Sequence, residues 1–368
     1  MADPRVERLA KLVVNYSIGA KEGERVILNG DIAGMPLIEE VYRALLHAGA
    51  FPYVSIGAES IAEILLKEGS AAQLQYIHEP TRCLFEQYDA RIFVFAQTNT
   101  HYLSQIDNKR LQLRGKGMHS LLKTSMERTA SGEFRWCGAP YPTQAAAQDA
   151  HMSLRDYEDF VYKACHVDIE DPIAEWKARD RWQQRLVDWL QGKDQVTIRG
   201  ENIDLSLSVK DRKFINDDGH FNMPGGEVFT GPVERSVNGW VRFSYPAVYN
   251  GNEVEDVQLT FEQGKVVDAT AARNNDYLQA VLDTDEGARY LGEWAIGTNY
   301  GIDRFTRNIL FDEKIGGTLH VALGAGYPET GNTNNSAVHW DMICDLRDGA
   351  EIHVDGELFY KGGEFMIE

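Results

Sequence analysis

ERVILNGDIAGMPLIEEVYRALLHAGAFPYVSI, residues 24–56, reads as strand, helix, strand. Glu24-Arg25-Val26-Ile27-Leu28-Asn29-Gly30 is a short run with an apolar centre that ends in a turn. From Pro36 to Ala48 the apolar residues recur with helical spacing, and Gly49 is placed to end that helix. Phe51-Pro52-Tyr53-Val54-Ser55-Ile56 is the second strand. A helix between two strands lets them lie parallel in one open sheet.

The same rhythm extends outward. Val6 to Val14 has helical spacing, Ala90 to Ala96 is a third strand, and Phe134 to Gly138 is a fourth. The third is mostly apolar, as expected for a parallel sheet covered on both faces. No GxGxxG follows the first strand and no GxxxxGK[ST] occurs, so no nucleotide site is expected. Residues 146–192 read as helical, with Trp176, Trp182, Leu186 and Trp189–Leu190 forming a stripe suited to a core.

Gly192-Lys193-Asp194 marks a break. After it, Gln195 to Gly200, Ile203 to Val209, Val257 to Phe261 and Glu351 to Asp355 alternate with period two, the mark of antiparallel strands. The expected fold is an α/β N-terminal domain over 1–192 with an open, largely parallel sheet. A β-rich α+β C-terminal domain follows over 193–368.

Composition limits the function. The 368 residues carry a net charge of −19, from 56 acidic and 37 basic side chains, which argues against nucleic acid and anionic membranes as partners. The N-terminus lacks an apolar signal core, and no apolar run reaches membrane-spanning length. Cys83, Cys137, Cys165 and Cys344 form no CxxC pair, so zinc-finger and redox motifs are unsupported. Sparse cysteine suits a reducing compartment, and a cytoplasmic location is expected. There is no GxSxG, so a serine nucleophile gains no support.

The chemistry gathers in the C-terminal third. In Ala337-Val338-His339-Trp340-Asp341-Met342-Ile343, side chains alternate, so His339 and Asp341 share a face. An imidazole and a carboxylate in an apolar strand need a partner, and a divalent cation is one. His320 lies in a second apolar strand, Thr318 to Leu323. Glu227 follows Gly225-Gly226, Glu293 is the only charge in Leu291 to Gly297, and Glu313 precedes Gly316-Gly317. Each has an ordinary reading, as a core histidine or an ion-paired glutamate. Together they favour a metal site. Mixed histidine and carboxylate donors suit Zn²⁺, Co²⁺, Mn²⁺ or Fe²⁺ better than Ca²⁺. Six such residues exceed one four-coordinate zinc and suit two ions.

The order of motifs carries a resemblance. Asn222-Met223-Pro224, Gly226-Glu227-Val228-Phe229-Thr230, Asp285-Glu286-Gly287-Ala288, Leu291-Gly292-Glu293, Leu310-Phe311-Asp312-Glu313, His320-Val321-Ala322-Leu323-Gly324, Tyr327-Pro328 and Asn335 to Asp341 follow one another. The chain resembles the thermophilic metalloaminopeptidase family of aminopeptidases T and S, in order through residues 222–356. The resemblance implies a dinuclear exopeptidase using Zn, Co or Mn, and a homodimer that acts on peptides with a free N-terminus. It places the metal ligands on Glu227, Glu293, Glu313, His320, His339 and Asp341. It places the catalytic tyrosine on Tyr327 and leaves Glu313, or Glu293, to shuttle the proton. In the implied mechanism, water made nucleophilic between two cations attacks the first peptide bond. Two departures stand out. The stretch from Tyr327 to His339 is shorter than in the family, and that from Glu313 to His320 is longer, which leaves Glu313 the least secure ligand. Ring-cleaving iron dioxygenases share a related scaffold with two histidines and an aspartate, and are the alternative enzyme class. A non-catalytic protein with a structural metal is the third reading.

Overall fold

A computed structural model describes residues 3–367. The chain divides into two compact units. One is Met1–Glu175 with Gly219–Gly225, and the other is Trp176–Asp218 with Gly226–Glu368.

The first unit is built on a four-stranded parallel sheet. Its order is Phe51–Gly57, Arg25–Asp31, Ala90–Phe95, Arg135–Pro140. Val26, Ile27 and Leu28 are buried in the second of these, and helix Met35–His47 packs Leu37, Ile38, Val41 and Leu45 inward. The third strand is covered less completely than its apolar sequence suggests. Ala90, Ile92 and Val94 are buried, whereas Phe95 on the alternate side is exposed. The edge strand exposes Phe51, Tyr53, Val54 and Ile56. Helix Asn108–Ala130 left little trace in the sequence pattern because Leu121 is its one buried residue. Residues 219–225 belong to this unit because Gly138 donates to the Phe221 carbonyl and accepts from the Met223 N–H, both at 2.8 Å.

The second unit holds an eight-stranded and a five-stranded sheet, both antiparallel. The larger runs in the order Lys265–Thr270, Gln258–Glu262, Asn238–Arg242, Ile203–Ser208, Gln195–Gly200, Glu351–Val354, Glu357–Lys361, Glu364–Phe365. The smaller runs His339–Asp345, Thr318–Gly324, Leu291–Gly297, Glu227–Thr230, Ile215–Asp217. One continuous core joins residues from both sheets, including Val196, Ile198 and Leu205 from the larger and Trp294, Val321 and Trp340 from the smaller. Leu186, Val187 and Leu190 of helix Pro172–Leu190 enter the same core. The division between units therefore falls inside that helix, at 175/176, ahead of the Gly192 break. Among the described residues, no helix is long and apolar enough to cross a membrane.

Candidate metal centre

The five-stranded sheet explains how scattered residues meet. Asp217 pairs with Glu227, and Glu227 with Gly297. Phe229 pairs with Ala295, and Ala295 with His320. Glu293 pairs with Ala322, Ala322 with Asp341, and Gly324 with His339. Residues directly opposite share a face, and alternate residues along a strand share a face. Asp217, Glu227, Phe229, Glu293, His320, His339 and Asp341 therefore all lie on one side of one sheet. The other side carries Val228, Trp294, Ile296, Leu319, Val321, Leu323, Trp340, Met342 and Cys344, all in the core. Trp340 of the His-Trp-Asp triplet is thus a core residue between two site residues. Ala295, Gly297, Ala322 and Gly324 are the small residues on the polar side, and they leave room between the larger donors.

Gly226 sets Glu227 in place. Its φ is +123°, and a Cβ there would meet Asn299 Cβ at 2.5 Å. The glycine serves close approach rather than flexibility. The Asn299 N–H in turn donates to the Lys314 carbonyl at 3.0 Å, and Thr298 N–H to the Gly226 carbonyl at 2.8 Å. The backbone after the Glu293 strand thereby holds both Glu227 and the Glu313-Lys314 step.

The donor atoms converge. His320 Nε2 lies 3.1 Å from Glu227 Oε2 and 3.7 Å from Glu293 Oε1. His339 Nε2 lies 3.6 Å from Glu293 Oε2 and 3.5 Å from Asp341 Oδ1. Glu293 thus turns one oxygen toward each histidine. Three sets could hold a cation, each with its donor atoms within 4.8 Å of one another: Glu227, Glu293 and His320; Glu293, His339 and Asp341; Glu313, His320 and Asp341. Glu293, His320 and Asp341 each belong to two of them. The structure brings all six sequence-predicted ligands together, with Glu313 reaching the cluster from the end of short helix Ile309–Asp312.

These residues fit a cation on their own geometry. His320 Nδ1 and Asp341 Oδ1 are buried without a hydrogen-bond partner, and Glu227 Oε2 has beside it only His320 Nε2, at 3.1 Å. Orphaned atoms of this kind are costly inside a protein unless a ligand is bound. Nitrogen and carboxylate donors together suit first-row divalent metals.

The electrostatics point the same way. Burial alone would depress the pKa of His320, yet Glu227 and Glu293 hold it well above its ordinary value. Burial opposes protonation of His339 too, but Asp341 and Glu293 push it up to about 10. Burial, reinforced by Glu227 and Asp341 against the opposing Lys314, raises Glu313 to about 8. Without metal the cluster gathers protons, the response of a site short of positive charge.

Two members escaped the sequence reading. Lys314 is fully buried, with its ammonium on Glu313, 3.5 Å from Glu227 Oε1 and 3.6 Å from Asp217 Oδ2. The available signal was a lysine in the charged step Asp312-Glu313-Lys314, between the apolar residues Ile309 to Phe311 and Ile315. Asp217 gave no signal, since its place depends on pairing with Glu227. Asp312, beside Glu313, is structural. It accepts from Thr306 N–H at 2.7 Å and Oγ1 at 2.8 Å, and burial raises its pKa to about 7.

Tyr327 stands at the rim. It is 41% exposed, and its ring centroid lies 5.4 Å from those of both Phe229 and His339. Desolvation and then the cluster's carboxylates, Glu293 first, raise its pKa, so the hydroxyl keeps its proton. The approach to His339 is fixed by Asp285, which accepts from Ser336 Oγ and Ala337 N–H at 2.7 Å and from Ala288 N–H at 2.9 Å.

A model of the thermophilic metalloprotease (M29) family matches residues 2–365. Aminopeptidase 2 of Geobacillus stearothermophilus is 27% identical, over 100% of this chain and 98% of its own length. Aminopeptidase T of Thermus thermophilus is 26% identical, over 97% and 95%. Wild-type AmpT from Thermus thermophilus has the same fold, with a TM-score of 0.85 at 23% identity, over 99% of both chains. The 2,5-dihydroxypyridine dioxygenase of Pseudomonas putida KT2440 shares the fold more distantly, with a TM-score of 0.61 at 14% identity, over 99% of this chain and 97% of that one.

Proposed function

Because the chain belongs to the thermophilic metalloprotease (M29) family, we propose that it is a metal-dependent aminopeptidase that removes N-terminal residues from peptides. The observation that carries this reading is the convergence of Glu227, Glu293, His320, His339 and Asp341 on one sheet face, with Glu293 shared between two donor sets. Full-length similarity to aminopeptidases supports the reaction.

Two ions, of Zn, Co or Mn, are the reading that the charge favours. The donor sets hold four carboxylates, Glu227, Glu293, Glu313 and Asp341, against one buried ammonium, Lys314, which contacts Glu227, Glu313 and Asp217. With neutral imidazoles, the four carboxylates exceed that ammonium by more than one divalent ion offsets. Glu227, Glu293 and His320 would hold one ion, and Glu293, His339 and Asp341 the other. When bound, the ions supply Lewis-acid chemistry, polarising the scissile carbonyl and making a water nucleophilic near neutral pH.

The chain's own groups complete the reaction. The Tyr327 hydroxyl, kept protonated, donates a hydrogen bond to the oxyanion that develops on the carbonyl. Glu313 has one oxygen held by Lys314, and the other takes the water's proton and passes it to the departing amine.

A homodimer in the cytoplasm completes the proposal. The exposed apolar edge strand Phe51–Gly57 supports the first part, since bare edges of this kind are ordinarily covered. The four cysteines, none in a disulfide, support the second.

The test uses purified protein stripped with a chelator and assayed on leucine p-nitroanilide and its N-acetyl derivative. Hydrolysis of the free-amine substrate alone, restored by Zn²⁺, Co²⁺ or Mn²⁺, is expected. Metal-loaded protein that cleaves no N-terminally free peptide overturns the proposal. Oxygen uptake with Fe²⁺ and a dihydroxypyridine would favour the dioxygenase class instead.

A further inference from the structure

Lys314 has no exposed surface. It is the one lysine or arginine within 4.0 Å of Glu227 or Glu313 among the described residues. Both carboxylates present one oxygen to it. Glu227 turns Oε1 to Lys314 and Oε2 to His320, and Glu313 gives its Oε1 to Lys314. The ammonium cannot swing aside easily. The Lys314 N–H donates to the Phe311 carbonyl and its carbonyl accepts from Asn299, both at 3.0 Å. Phe311 and Ile315, which flank it, are completely buried.

We propose that Lys314 is a built-in counter-cation of the metal centre, which positions Glu227 and Glu313 by one oxygen each and keeps the cluster folded when ions are absent. The proposal rests on the metal-binding part of the function above and is independent of peptide cleavage.

Two consequences follow from charge alone. Without ions, loss of the ammonium takes the lysine cation from Glu313 and leaves Glu227 with His320 alone, which is destabilising inside a protein. With ions bound, the same ammonium repels divalent cations held by Glu227, so its loss strengthens their binding. Lys314 thus exchanges metal affinity for a site that survives without metal. A lysine that merely filled space would do neither.

The experiment is thermal unfolding of wild type and Lys314→Met, each metal-free and saturated with Zn²⁺, with the Zn²⁺ dissociation constant measured by competition against a chromogenic chelator. Lys314→Met is expected to lose far more Tm in the metal-free state than in the loaded one, and to bind Zn²⁺ at least about tenfold more tightly. Equal loss in both states, or weaker binding by the variant, overturns the proposal while leaving the metal reading intact. Wild type that takes up no divalent ion overturns both. If Lys314→Met does not fold metal-free, recovery on refolding with Zn²⁺ supports the proposal, and failure with Zn²⁺ present overturns it.

Discussion

His339 Nδ1 lies 2.8 Å from the carbonyl oxygen of Ala325. A carbonyl only accepts, so that contact requires the proton on Nδ1. The neutral ring then aims the Nε2 lone pair at Glu293 and Asp341, two groups that also only accept. The arrangement is repulsive unless a proton or a cation lies between them. Metal-bound histidines are commonly oriented by a bond of this kind through the other ring nitrogen. His339→Asn can keep the bond to Ala325 and loses the Nε2 donor. Its peptidase activity is expected to fall at least about a hundredfold, with ion content reduced. Elemental analysis and kinetics at saturating metal check this.

Glu293→Gln preserves shape and removes the charge shared between two donor sets. We expect fewer ions retained per chain than wild type after dialysis, and loss of peptidase activity by more than about a hundredfold. Retention of the full ion complement would show that Glu293 is not shared.

Tyr327→Phe keeps the ring contacts to Phe229 and His339 and removes the hydroxyl. The expected result is a kcat lower by about 10²–10³-fold, with KM and Tm close to wild type. Steady-state kinetics with leucine p-nitroanilide separate the two parameters.

Ala322 pairs with both Glu293 and Asp341 on the donor side of the sheet. Ala322→Leu would fill the space the donors converge on. We expect a stability cost of about 1–3 kcal/mol and an ion content near zero. Val321→Ala, on the core side, should cost stability and leave the ions in place.

Asp285 carries the pH dependence of the segment entering the His339 strand. Burial alone would raise its pKa, but hydrogen bonds from Ala337, Ser336 and Ala288 outweigh it and hold the carboxyl below its ordinary value. A depressed pKa contributes stability that is present above the unfolded value, 3.8, and is lost as pH falls through the folded one. Asp285→Asn should remove about 2 kcal/mol at neutral pH and flatten the loss of stability below pH 4. Urea unfolding across the acid range measures both.

Much of the donor set was legible before folding. Period-two alternation put His339 and Asp341 on one face, and isolated charges in apolar runs marked Glu293 and His320. The strand–helix–strand reading of residues 24–56 matches the parallel sheet observed. Lys314 and Asp217 were not legible, because each owes its place to a long-range neighbour. Asp217 joins the cluster through strand pairing, and Lys314 through the backbone bonds of Asn299. The division of the chain inside helix Pro172–Leu190 was not legible either, for a related reason. A glycine break marks where a helix stops, not which core its side chains enter.

Placing the donors on paired strands of one sheet gives the centre a fixed scale. Adjacent strands lie about 4.8 Å apart, so the spacing between donor sets is inherited from backbone geometry rather than from side-chain reach. Deleting one residue within the Glu293, His320 or His339 strand would turn its ligands into the hydrocarbon interior and its core residues outward. Length variation in such a protein is therefore confined to the connections, at Glu313–Gly317 and Ala325–Val338. Within the strands, descendants can explore new chemistry only by exchanging one side chain for another.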